Sequence, residues 1–219
     1  MNVKKLKSWI QKSVWKENAI CVPTKILNAN MKDALSTDRV IAKLYGSKLI
    51  LSMLEQLDDP LFVEYHRPFT SALADLLLYS LNGCIDASLQ DIREGLGPSL
   101  QPHEVSTSHE NTKFMKMLNL STDPNAKKEI EWINERMKNK QSWLYKLRDN
   151  RNKSAHRDPI GWMFQRTIGS NEDVSMPGLV DSDKDFHSYF KETFQLVKGH
   201  CLEVRKRYGK YQPYPFLDF

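Results

Sequence analysis

The sequence predicts an all-α fold, an up-and-down bundle of four to five principal helices with N-terminal and loop extensions. Three observations carry that expectation. Apolar residues recur every three or four positions over several long segments, Pro and Gly cluster between those segments, and no stretch alternates between apolar and polar residues as a half-buried strand would. Residues 3–14 place Val3, Leu6, Ile10 and Val14 at helical spacing, a short surface helix, and Pro23 marks a boundary after it. Over 38–57, Ile41, Leu44, Tyr45, Lys48, Leu49, Met53, Leu54 and Leu57 form one face, with Asp38 as the cap and Asp58, Asp59 and Pro60 as the stop.

A second helix is expected over 68–93, with Leu73, Leu76, Leu77, Ser80, Leu81, Cys84 and Ala87 facing neighbours. Its near-continuous leucines suit a central position in a bundle. Gly95, Gly97, Pro98 and Pro102 end it. A short helix over 112–120 follows, then Ser121, Thr122, Asp123 and Pro124 read as a cap. From Pro124 a single long helix is expected, carried by Ile130, Ile133, Met137, Leu144 and Leu147 across a weak polar gap at Lys140 and Gln141, and running on to His156 before Pro159 and Gly161. Residues 169–185 lack periodicity and read as a long loop. A final helix over 185–208 uses Phe186, Tyr189, Phe190, Phe194, Val197, Cys201 and Val204 as its apolar face.

With 219 residues the chain can enclose a sizeable core as one large or two small domains, and the pattern divides it into an N-terminal helical extension (1–37), a bundle (38–210) and a tail (211–219). The formal charge of +5 is compatible with a polyanionic partner and does not establish one, because cations and anions are interspersed. Arg205, Lys206, Arg207 and Lys210 are the densest basic segment and read as a solvated helix end. Cys21, Cys84 and Cys201 are far apart and odd in number, which fits a reducing cytoplasm and no zinc knuckle or redox dithiol. No stretch has the length and apolarity of an integral membrane segment, and the Lys-rich start does not read as a secretory signal.

The candidate site is Arg151, Asn152 and His156. The buried stripe of the long helix continues in register from Leu144 and Leu147 to Arg151, so a guanidinium stands where an apolar residue is expected and needs a carboxylate, carbonyls or a bound phosphate. Asn152 and His156, four residues apart, share a face on which the amide can orient the imidazole or hold a substrate. Arg151 and His156 are about 140° apart on an ideal helix, so joint action needs long side chains, a distortion near Pro159 or two copies of the chain. Spacing alone is also explained without a site, because cations near a helix C-terminus gain a few tenths to about 1 kcal/mol each from its terminal carbonyls.

The segment Arg151-Asn152-Lys153-Ser154-Ala155-His156 resembles the R-N-x-x-x-H signature of the HEPN superfamily, at the end of a late bundle helix as in that family. The resemblance implies a helical, often dimeric protein and a metal-independent endoribonuclease of a toxin, antiphage or RNA-processing system, with no cofactor and no metal. It implies that Arg151 binds the scissile phosphate, Asn152 assists positioning and His156 is the acid–base residue. RNA, a second copy, and a cognate antitoxin or regulatory protein are the partners it implies. Other members are non-catalytic, so a helical module that binds nucleic acid or regulates a protein partner is the alternative.

Other residues have plainer readings. His103 and His109 beside Glu104 and Glu110 lack a compact ligand spacing and read as loop histidines. His66, His187 and His200 carry no motif. Trp132, Trp143 and Trp162 read as packing residues rather than as nucleobase stackers. Gly95-Leu96-Gly97-Pro98 is a turn without the strand and helix of a phosphate-binding loop.

Overall fold

The computed structural model describes residues 38–56, 60–97, 99–106, 112–156, 162–166, 173–177 and 186–211; the expected helix over 3–14 and most of the tail lie outside them. Six α-helices are described, α1 (Arg39–Gln56), α2 (Pro60–Gly95), α3 (Thr112–Leu120), α4 (Pro124–Lys138), α5 (Trp143–His156) and α6 (Phe186–Arg207), with a short 3-10 turn at Pro102–Glu104. Strands β1 (Trp162–Arg166) and β2 (Asp173–Pro177) pair antiparallel with Trp162 opposite Pro177 and Arg166 opposite Asp173. A helical bundle is the expected architecture; the ribbon is not, because no stretch of the sequence demands a sheet, and β2 occupies five residues of the segment 169–185, most of which reads as loop. β1 has no period-2 alternation, and the alternation Asp173-Val174-Ser175-Met176 in β2 lies among the Gly, Pro, Ser and Asp residues that signal a loop.

Asp38 starts α1 by accepting from the Ile41 amide at 3.1 Å. Asp123 starts α4 in the same way through the Asn125 amide at 2.8 Å, with Pro124 supplying a first position that needs no donor. The single long helix expected over 124–156 is two. Residues 139–142 break it, and Ser142 both donates to the Arg136 carbonyl and accepts from the Tyr145 amide at 3.1 Å, capping α5. The polar gap at Lys140 and Gln141 is therefore a helix boundary, with a side-chain hydroxyl replacing the backbone ladder.

Helix α2 is central, packing against α1, α5, α6 and β2. Paired residues give the directions. Ser47 bonds to Ser80 at 2.8 Å and Lys43 lies over Gly83, so α1 runs against α2; Cys201 reaches the Cys84 carbonyl while Arg205 reaches Asp91, so α6 runs along it. The main core gathers Ile41, Leu44, Leu77, Leu81, Leu144, Leu147, Phe190 and Phe194, all fully buried. A second cluster holds Leu89, Ile92, Phe114, Ile133 and Val204 at the other end of α2, and Trp132 packs on both. Burial of this kind stabilises by roughly 25 cal/mol per Å² of apolar surface. Leu76, expected to face a neighbour, is instead 52% exposed. Cys84 and Cys201 are buried free thiols, and burial pushes Cys84 up to about 11 and Cys201 well above the ordinary thiol value.

The basic end of α6 is not a solvated surface. Arg205 is buried and grips both oxygens of Asp38, reaches Asp91 at 3.2 Å and donates to the Lys210 carbonyl at 2.9 Å. Lys210 bonds to Asp91 at 2.8 Å and Glu94 at 2.6 Å, and Arg207 to the buried Glu129 at 2.8 Å. Local charge density cannot reveal this, because each carboxylate comes from a helix distant in sequence. Among the described residues no helix is long and apolar enough to cross a membrane.

Candidate functional site

Helix α5 carries Lys146, Arg148, Arg151 and Lys153 against one carboxylate, Asp149, so it is a locally cationic element. Its polar edge meets α2 running the opposite way. Arg148 Nη2 donates to Asp86 Oδ1 at 3.0 Å, the Arg151 guanidinium lies 5.5 Å from the centroid of the Tyr79 ring, and Ser154 Oγ donates to Asp75 Oδ1. On its other side Asn150, buried, donates to the Tyr189 hydroxyl at 3.0 Å and so fixes α5 to α6. Asp149 pairs with Lys153 at 2.7 Å one turn on.

Arg151 differs from Arg148 and Lys153 in its partners. Arg148 and Lys153 have carboxylate partners, whereas among the described residues Arg151 makes no ion pair. Its Nη1 donates to Asn152 Oδ1 at 2.9 Å, and its Nε is shielded from solvent with no hydrogen-bond partner. Burial pulls the Arg148 guanidinium below its ordinary value; the Asp86 carboxylate opposes that and the Arg151 charge adds to it. The two guanidiniums therefore share one field, of which Asp86 offsets a part. An aromatic face and an amide oxygen hold Arg151 in place without cancelling its charge, which leaves it disposed to take an anion.

The sequence places Arg151, Asn152 and His156 at one helix end, and α5 is helical through His156. Arg151 and Asn152 are brought together side chain to side chain. The expected pairing of Asn152 with His156 falls on an imidazole outside the described residues. Continuous helicity keeps Arg151 and His156 about 140° apart in one chain. Asp75, Tyr79, Asp86 and Asn150 are the residues the sequence reading did not single out. Their signal was present in part: 75, 79 and 86 share one face of α2, a polar interruption in a leucine-rich helix.

Elsewhere the packing reading of Trp132 and Trp143 agrees with the structure. Trp132 stacks on His200 with centroids 3.8 Å apart and tilts against Trp143 at 6.2 Å, so both indoles serve packing. His103 is exposed on the 3-10 turn, and His109 lies outside the described residues. Among the described residues no three of His, Cys, Asp and Glu gather where they could hold a metal ion. Comparison with protein-family models, curated proteins and solved structures finds no match for the chain.

Proposed function

We propose that this helical protein is a HEPN-like, metal-independent endoribonuclease acting on single-stranded or loop RNA, with Arg151, Asn152 and His156 as its site. The observation that supports it is Arg151, the half-buried guanidinium on a cationic helix whose described partners are an aromatic ring and a neutral amide. In this reading the 2′-hydroxyl attacks the adjacent phosphorus, the bond to the 5′-oxygen breaks, and a 2′,3′-cyclic phosphate remains. His156 exchanges the protons, Arg151 neutralises charge on the phosphoryl oxygens, and Asn152 orients the guanidinium through the observed hydrogen bond. The angle between Arg151 and His156 along one helix is met by two copies of the chain contributing to one cleft.

The test is incubation of the purified protein with a mixed RNA pool in excess chelator, followed by analysis of the product ends. Cleavage leaving 2′,3′-cyclic phosphate or its hydrolysis product is the expected outcome. RNA binding without cleavage across several substrate classes replaces this reading with a nucleic-acid-binding module, and neither binding nor cleavage replaces it with a regulator of a protein partner.

A further inference from the structure

Tyr79 is 43% exposed and Leu76 is 52% exposed, on a helix whose other large apolar residues between Leu73 and Ile92 are buried. With exposed Ala72 they form a stripe at intervals of four and three residues on one face of α2. Exposure of an aromatic here is not required by packing, because the Leu77, Leu78 and Leu81 side chains already fill the core side. The ring is also held: the Arg151 guanidinium lies over it from α5, and the salt bridge of Arg148 with Asp86 and the hydrogen bond of Ser154 with Asp75 fix the two helices on either side. A rigid aromatic surface next to a cation with no carboxylate partner among the described residues matches one kind of ligand, an anionic backbone carrying flat bases.

We propose that Tyr79, with Leu76 beside it, is the stacking platform for the nucleobase next to the phosphate held by Arg151. The inference rests on the ribonuclease reading and adds a positioning residue on α2 that sets which nucleotide is presented. Base and phosphate are then bound by different helices, and the Arg148–Asp86 and Ser154–Asp75 contacts fix their separation. Among the described residues the stripe has two large apolar side chains, Leu76 and Tyr79, a smaller apolar surface than the core of a stable dimer, which needs roughly 800 Å² from each partner. The same two side chains suffice for one base, since stacking gains from any π-face.

The experiment is binding of a short single-stranded RNA made uncleavable by 2′-O-methylation, intact or with one abasic position moved along it. Wild type, Tyr79→Phe, Tyr79→Leu and Tyr79→Ala are compared, with solution mass and helical content measured for each. Tyr79→Phe is expected to bind as wild type. Tyr79→Leu, which still supports the Arg151 side chain, and Tyr79→Ala are expected to weaken binding by about tenfold to a hundredfold. One abasic position should cause the same loss in wild type and no further loss in either variant. Equal binding by wild type and both variants, or abasic losses that add to theirs, overturns the platform. So does a change of oligomeric mass in the folded variants, which makes the stripe a contact between copies. Failure of the platform alone leaves wild-type cleavage of RNA intact, whereas wild type that neither binds nor cleaves removes the ribonuclease reading with it.

Discussion

Arg151 and His200 show how one bundle treats cationic and ionisable side chains in opposite ways. Arg151 stands half-buried at the edge of α5 beside the Tyr79 ring. His200 is buried, stacked on Trp132 and within 3.3 Å of Ser88 Oγ, and burial together with the Arg207 and Arg136 charges pulls it down to about 3. An unfolded chain takes up a proton at this imidazole near pH 6.5, while the folded chain does not until about pH 3. The fold therefore keeps its full stability from this residue above about pH 6.5 and loses it as pH falls, by about 2 kcal/mol between pH 7 and 5. Urea midpoints for wild type and His200→Gln at those two pH values are expected to converge as pH falls, the variant losing less; parallel losses would contradict the assignment. At this scale the candidates Arg151 and Asn152, which the structure joins by a hydrogen bond, were legible, since a six-residue pattern keeps both in view. It did not reveal Tyr79 or Asn150, whose significance depends on helices brought together by the fold.

Among the elements, α6 departs most from its sequence reading. Its apolar face is the one that periodicity predicts, with Tyr189, Phe190, Phe194, Val197, Cys201 and Val204 all buried. Its basic end, expected in solvent, ties the start of α1 to α2 through Arg205, Asp38 and Asp91. Breaking a buried pair strands the remaining charge, so Arg205→Ala is expected to lower stability by about 3–5 kcal/mol by denaturant titration. Lys206→Ala, which removes an exposed pair with Glu203 and an exposed contact with the Tyr211 ring, should change it by less than about 1 kcal/mol. Similar effects of the two substitutions would show that the Arg205 cluster does not anchor the end of the bundle. The break at 139–142 and the ribbon were hidden for a different reason. The apolar stripe resumes in phase after the break, and each short strand owes its existence to its partner.

For the molecule as a whole, a helical bundle was legible because four faces of helical period must cover one another, and the observed core is built from those faces. The candidate site was legible as a set of residues at one helix end and not as an arrangement, because the partners of Arg148, Arg151 and Ser154 come from α2. If Arg151 and His156 form the proposed phosphodiester-cleaving centre, single-turnover cleavage of RNA in chelator by wild type, Arg151→Ala and His156→Ala separates their contributions. Both variants are expected to keep helical content and solution mass, with His156→Ala slower by a factor of about a hundred to ten thousand. Arg151→Ala should lose rate and also bind RNA with a salt dependence shallower by about one unit of slope. Cleavage by His156→Ala at the wild-type rate would contradict the account.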